Sequence, residues 1–345
     1  MYKLLLALLI PFTNGFQGQI NIEKKLLPLW FPILPINDVK DNRLYPITVA
    51  DEKFTVYKNS ENEHVCISDI CPHQGASLSK GKLSKDKTVI CPYHGFEFKD
   101  GVFAKMPQSN YFRSNSKICI PRLPTYCDSN FLYVLPRVNS MDQCFVPKPH
   151  EVIESKDNYF TKVVGQRLIN TNCEVVTENV LDMLHISFVH SFGNRNLPLP
   201  YKISFEKVSN FTGITKFHYK SGANSISRQV GNQESVTVEN EFHLPSTTVT
   251  RVIAGDIVKT VVTRALPISE NKTLLFWELH RNFWHGKLGD WVMTYFMDKT
   301  LDEDINILKY VNPDYRIGRI NTVYDVTITQ YREMKNNLIN EFLRI

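Results

Sequence analysis

The sequence predicts an α+β fold in two parts: a small all-β domain, then a larger domain with an antiparallel sheet flanked by helices. Three observations carry this. From Tyr45 to about Tyr133, short strand-like runs lie close to Gly, Asp, Asn or Lys. From Ile203 to Asn282, β-branched and aromatic residues recur in strand fashion. Asp290 to Tyr310 and Asp325 to Leu343 then return to a helical period. A chain of 345 residues has the length of about two domains and can bury two cores without disulfide staples.

Taken in order, the chain opens with Lys3, a wholly apolar run from Leu4 to Ile10, then Pro11-Phe12-Thr13-Asn14 and the small residue Gly15. That pattern matches a secretory signal peptide, so residues 1–28 are expected to be a targeting segment. The Gly15-Phe16 junction resembles the signal-to-transit boundary of plastid proteins in algae with secondary plastids, which implies a plastid; the alternative is the cytoplasm. No stretch of 18 consecutive apolar residues exists, so no membrane span is expected. Leu29 to Pro35 is aromatic and proline-rich and reads as extended. Phe54-Thr55-Val56-Tyr57, Val65-Cys66-Ile67 and Phe96-Glu97-Phe98 read as strands, with Phe131 to Leu135 the last. A boundary near 137–148 follows, giving domains over 29–140 and 145–345. In the second, Thr177 to His190 reads as helix. Strands follow at Ser235–Val238, Thr247–Val252, Val258–Val262 and Thr273–Leu279.

Forty basic against thirty-five acidic side chains leave a net charge of +5 with no long basic run, which argues against nucleic acid as a partner. Seven cysteines are an odd number in no small-scaffold spacing, so a reduced compartment fits better than a disulfide framework.

Two cysteines belong to the most specific feature. Cys71-Pro72-His73 is followed after seventeen residues by Cys91-Pro92-Tyr93-His94. Each half supplies one thiolate and one imidazole from a tight loop. Two thiolates suit one iron and two neutral imidazoles the other, which is the ligand set of a Rieske [2Fe-2S] centre. Replacing thiolate by imidazole lessens the cluster's negative charge and raises its potential. Pro72, Pro92, Gly75 and Gly95 stiffen and turn the loops so that Cys71, His73, Cys91 and His94 converge. A Cys2His2 zinc site is the nearest rival, but zinc motifs pair like with like, whereas each half here mixes Cys with His.

Farther along, Glu178-Asn179-Val180-Leu181-Asp182-Met183-Leu184-His185 runs on to His190. Five residues turn an ideal helix through about 500°, roughly 140° net, so the two imidazoles do not share a face. The helix therefore ends or distorts between them. Asp182, at i−3, can orient the His185 imidazole. Two imidazoles and one carboxylate with open positions suit a non-haem Fe(II) that activates dioxygen. Asp302-Glu303-Asp304 is the best source of the carboxylate. Taken alone, the pattern also fits an acidic helix surface and two core histidines.

These two motifs together resemble the Rieske-type non-haem iron oxygenases. Cys71-Pro72-His73-Gln74-Gly75-Ala76 and Cys91-Pro92-Tyr93-His94-Gly95 look like that family's cluster loops, with Phe96 where a Trp is common. Asn179, Asp182, His185 and His190 match its helix pattern, and Glu303-Asp304-Ile305-Asn306 looks like its later acidic helix. Carried over, the resemblance implies His185, His190 and Asp304 as iron ligands, with Asp302 the fallback. It implies catalytic positions at Asp182 and Asn179, and electrons crossing between the subunits of a homotrimer. The stretch from Glu241 to Arg251, with Arg281-Asn282-Phe283, looks most like the pheophorbide a oxygenase and chlorophyllide a oxygenase branch.

The resemblance implies a terminal oxygenase component with a [2Fe-2S] cluster and a mononuclear Fe(II). A ferredoxin or ferredoxin reductase would be its electron donor, and O2 its oxidant. Its substrate is expected to be apolar, because Phe205, Phe211, Phe217, Tyr219 and Phe242 are available to line a pocket, most of them being expected in the core; the resemblance implies a tetrapyrrole pigment or other cyclic compound. The alternatives are a Rieske electron-transfer protein without oxygenase activity and a binding protein that keeps only the fold.

Overall fold

The computed structural model describes residues 27–107, 118–136, 146–312 and 320–343. Residues 1–26 of the expected targeting segment, and 137–145 of the expected boundary, lie outside the described residues. The described residues fall into two compact units, one made of Val39–Ile47 and Glu52–Leu123, the other of the remainder.

The chain starts with β1 (Phe31–Pro35), which belongs to the second unit. The first unit is built on β2 (Tyr45–Val49), β3 (Glu52–Lys58) and β4 (His64–Ser68). A second small sheet of β5 (Lys82–Leu83), β6 (Val89–Ile90), β7 (Glu97–Lys99) and β8 (Val102–Lys105) follows in simple order. Then β9 (Arg122–Leu123) closes the first sheet in the order β2-β3-β4-β9. Between them lies a core of Tyr57, Val65, Ile67, Leu78, Val89 and Phe98, which also takes in Cys71 and Cys91. The thiols of the two loops thus belong to the core of the unit and not to its surface.

In the second unit, β10 (Thr125–Cys127) and β11 (Phe131–Val134) join β1 in a three-stranded sheet. Its main element is a seven-stranded antiparallel sheet formed by β12 (Thr161–Ile169), β13 (Tyr201–Lys207), β14 (Thr212–Lys220), β15 (Ser235–His243), β16 (Thr247–Ala254), β17 (Ile257–Ser269) and β18 (Lys272–Arg281). The order is β12-β18-β17-β16-β15-β14-β13, so β13 to β18 form a meander and β12 adds to its far edge. Side chains alternate across such a sheet. On β17, Thr260 and Arg264 face a band of buried charge with Arg251, Glu154, Glu278 and His280. Their neighbours Lys259, Val261 and Thr263 face a cavity on the opposite side.

Helices α1 (Cys173–Leu181) and α2 (His185–Val189) follow β12, and the short α3 (Ile226–Gln229) follows β14. The sheet is completed by α4 (Lys287–Leu308) and α5 (Val326–Leu343). Val175 and Val176 of α1 pack with Met293, Met297 and Leu301 of α4 on Leu275, Trp277 and Leu279 of β18. Asn172 caps α1 by accepting from the Glu174 amide at 2.8 Å. Glu178 accepts two hydrogen bonds from Arg332, both 2.8 Å, which ties α1 to α5.

The expected helix over 177–190 is two helices with a break at 182–184. The cause is Asp182, whose carboxylate accepts from the Leu184 amide at 2.7 Å and from the His185 amide at 3.4 Å. A short acidic side chain thereby replaces the helical partners of those amides and restarts the chain as α2. No helix among the described residues is long and apolar enough to cross a membrane.

Candidate functional site

The two cluster loops are built alike. In the first, the Cys71 amide donates to Ala76 O at 2.9 Å and the Gly75 amide to Cys71 O at 2.8 Å; in the second, Cys91 donates to Phe96 O at 2.8 Å and Gly95 to Cys91 O at 3.1 Å. Gly75 and Gly95 hold φ of 73° and 71°, a left-handed turn that glycine adopts without strain. Asp69, buried two residues before Cys71, accepts from Ser77 Oγ at 2.5 Å and from Ser79 Oγ at 3.0 Å, pinning the first loop from behind.

Cys71 and Cys91 are each 2% exposed and their thiols lie against one another, whereas His73 and His94 are exposed with ring centroids 4.8 Å apart. Burial pushes the Cys71 thiol up, and the amides of His73 and Gln74 that face its sulfur pull it partly back. Two buried sulfurs behind two surface imidazoles fit a cluster with its sulfur-ligated iron inside and its imidazole-ligated iron at the surface. Phe96 packs on the His73 ring at 4.6 Å.

The second group lies in the other unit. His185 begins α2, His190 sits just past its end with φ −85° and ψ 140°, and Asp304 comes from the penultimate turn of α4. His185 opens the single short helix α2 and His190 caps its far end, where the chain turns to extended backbone, so the two imidazoles meet across one short helix. The two Nε2 atoms are 3.2 Å apart, and each is 3.5 Å from Asp304 Oδ1. Donors held about 2.1 Å from a shared ion at right angles lie about 3 Å apart, so this triangle has the dimensions of one coordination face. Asp304 Oδ1 is buried and accepts no conventional hydrogen bond. Three such atoms this close together could hold one cation.

Each imidazole is oriented from behind. His185 Nδ1 lies 2.8 Å from the backbone carbonyl of Asp182, and His190 Nδ1 lies 3.1 Å from Glu303 Oε2. Both acceptors require a proton on Nδ1, which leaves the Nε2 lone pairs free for a metal. Asp182 therefore orients His185 through its main chain, while its carboxylate shapes the helix start. Burial works against the charged form of both rings. Asp304 outweighs it at His185, whose pKa is raised, whereas burial prevails at His190, whose pKa is lowered.

Asp302 points elsewhere. It pairs with Arg167, and its side chain is 56% exposed. Asn179 is half-buried on α1, and its backbone carbonyl accepts from the Asp182 amide at 3.3 Å. Two supporting residues escaped sequence reasoning. Glu303 is one of the three acidic residues of the 302–304 run, and its spacing gives no sign that it faces the back of His190. Asn240 of β15 donates to Val180 O at 3.3 Å and accepts from Thr250 Oγ1 at 3.0 Å, holding the end of α1 against the sheet. Nothing in the local sequence marks it, since its partners are 60 and 10 residues away.

His185, His190 and Asp304 border a cavity of about 410 Å³. Val180, Val238, Val261, Leu279, Met293 and Met297 form an aliphatic part of its wall, and Ser187, Asn194, Ser225 and Thr263 also border it. Of the five aromatic residues available to line a pocket, Tyr219 borders the cavity and the other four belong to the core. Phe242 is instead buried against Tyr331 of α5 with Phe205 and Phe211 beside it, and Phe217 packs with Met183 and Val238.

Residues 29–126 match the model of the Rieske [2Fe-2S] domain, and residues 169–341 match that of the vanillate O-demethylase oxygenase C-terminal domain. A rice protein described as pheophorbide a oxygenase, chloroplastic, is 28% identical over 198 residues, covering 53% of this chain and 37% of its own. A Chlamydomonas reinhardtii protein described as chlorophyllide a oxygenase, chloroplastic, is 26% identical over 206 residues, covering 59% of this chain and 30% of its own. The matched regions thus span about a third of the length of these relatives. Among solved structures, Pseudomonas putida CBB5 NdmA with caffeine has the same fold, at a TM-score of 0.76 and 19% identity over 91% of both chains.

Proposed function

The chain belongs to the Rieske-type non-haem iron oxygenases, oxidoreductases with a [2Fe-2S] cluster and a mononuclear iron, and on that premise we propose that it is a terminal oxygenase component acting on an apolar cyclic substrate. The observation that carries the reading is the triangle of His185 Nε2, His190 Nε2 and Asp304 Oδ1, with sides of 3.2 to 3.5 Å, in the wall of a partly aliphatic cavity. Cys71, His73, Cys91 and His94 would hold the cluster, and His185, His190 and Asp304 the mononuclear iron.

When bound, the cluster supplies single electrons and the mononuclear iron supplies dioxygen activation. The protein's own part is positional. The Asp182 carbonyl and the Glu303 carboxylate keep protons on the two Nδ1 atoms and so present both Nε2 atoms inward. The aliphatic part of the wall binds an apolar body, orients one of its carbons toward the triangle and keeps water away from it.

A ferredoxin or ferredoxin reductase is the proposed donor, with assembly as a homotrimer and electrons crossing between subunits. A tetrapyrrole pigment is the first substrate to try and a plastid the first compartment, in keeping with the relatives described as chloroplastic pheophorbide a and chlorophyllide a oxygenases. The test is metal analysis joined to one substitution. About three irons per chain are expected, two in the cluster and one at the triangle. His185→Ala should retain the cluster's visible spectrum and lose both the third iron and substrate oxidation. Two irons in fully loaded protein, or oxidation unchanged in His185→Ala, would overturn the proposal.

A further inference from the structure

The cavity beside the triangle holds one cation that packing does not explain. Lys259 lies on β17 between Ile257 and Val261, which border the same cavity. Strand alternation turns all three inward and leaves Thr260 on the opposite face, bonded to Glu154 at 2.7 Å. Lys220 and Lys299 also border the cavity, but both are solvent-exposed. Lys259 is not, and burial lowers its pKa with no charged neighbour opposing the effect. Among the described residues no carboxylate lies within ion-pair distance of it.

Its one favourable neighbour is aromatic. The Nζ atom sits 5.8 Å from the centroid of the Phe192 ring, and that ring stacks on His190 at 4.9 Å and 13°. A cation over an aromatic face at this distance gains less than partial withdrawal of an ammonium from water costs. The residues beside it on this face, Ile257 and Val261 on its own strand and Val252 across from it, are apolar. A lysine there is stabilised by whatever anion the cavity receives. Phe192 thus touches both groups, with the Lys259 amine 5.8 Å from its ring centroid and the His190 imidazole stacked on it.

We propose that Lys259 reads an acid group on the substrate: an apolar molecule whose carboxylate pairs with this amine while another of its carbons faces His185, His190 and Asp304. This rests on the oxygenase reading above and narrows its substrate class. A carboxylate is favoured over a phosphate because a single half-buried cation matches one negative charge, and among the described residues no arginine borders the cavity.

The test uses the full chain with both metal centres loaded and two matched pairs of probes: pheophorbide a with its propionate methyl ester, and 5β-cholanic acid with its methyl ester. Binding is read without turnover, by quenching of tryptophan fluorescence under argon. At least one acid should bind the wild type tenfold or more tightly than its ester. Lys259→Met should lower that acid to the ester's affinity while keeping the wild-type iron content, Lys259→Arg should retain most of the preference, and Lys299→Met should retain it. If Lys259→Met does not fold, Lys259→Gln is read in its place. Equal affinity for acid and ester in both pairs, no binding of either acid, or a preference that survives in Lys259→Met would overturn the inference.

Product formation with electrons and O2 is scored separately. Acid preference that depends on Lys259, with no oxidised product from any probe, would uphold the anion site and count against the oxygenase reading. Oxidation of acid and ester with equal affinity would do the reverse.

Discussion

His190 and Glu303 meet across 113 residues of sequence, with Nδ1 of the ring 3.1 Å from Oε2 of the carboxylate. That carboxylate also lies 3.3 Å from the Ser191 amide, so it fixes both the ring and the chain that leaves it. The other ring nitrogen is thereby committed to the triangle with His185 and Asp304.

Glu303→Ala should weaken iron binding at the triangle by about 10- to 100-fold, the usual effect of removing a carboxylate behind a metal-binding imidazole. Glu303→Gln keeps an acceptor without the charge and should fall in between. Titration with Fe(II) under argon, followed by metal analysis, measures this. Wild-type affinity in the alanine variant would show that the contact is incidental.

Asp304→Asn should lose one iron per chain and all oxidation, while Asp302→Asn should keep both. The carboxylate of Asp302 pairs with Arg167 and stands 56% exposed, so its loss should change stability by no more than about 1 kcal/mol. Iron content of the two variants, measured side by side, decides between them.

Asn240→Leu should free the end of α1 and loosen the 182–184 break. Removing a buried partner of a main-chain carbonyl costs about 1 to 3 kcal/mol. Both the melting temperature and the iron affinity should therefore fall, although Asn240 touches none of the three proposed ligands. A variant that melts lower yet binds iron normally would separate stability from the site.

The Glu278 carboxyl is held down at about 2. Burial works to raise it, but the His280 hydrogen bond and the Arg264 guanidinium outweigh burial. Its folded value lies below the ordinary 4.5, so the stabilisation is complete above about pH 4.5 and is lost as pH falls toward about 2. Glu278 and Arg264 are each 1% exposed, so Glu278→Gln, which leaves the arginine unpaired, should cost about 3 to 5 kcal/mol at neutral pH. Melting curves of both proteins from pH 6 downward should converge through this window. A gap that stays constant would remove Glu278 as the source.

Phe96→Ala should keep the cluster and raise its reduction potential. The ring shields His73 at 4.6 Å, and water in its place would stabilise the extra negative charge of the reduced state. Protein-film voltammetry reads the direction.

The cluster loops were legible because each carries its two proposed ligands within four residues, so turn chemistry alone brings them together. For His185 and His190, helical rotation required the helix to end or distort, and α2 ends at His190. The α+β class followed from strand and helix periods that the large sheet, α4 and α5 reproduce. What the sequence left open is a matter of phase and partner. Asp302 and Asp304 differ by two residues, about 200° around a helix, so they point to nearly opposite sides. Only the packing of Met293, Met297 and Leu301 on β18 decides which of them meets the histidines. Lys259 and Thr260 likewise stand on opposite faces of β17, and local pattern cannot say which face holds the cavity. Glu303, Asn240 and Lys259 act on groups far away in sequence. Their roles exist only once the sheet and α4 bring those groups within a few ångströms, because hydrogen bonding and ion pairing depend on distance in space and not on distance along the chain.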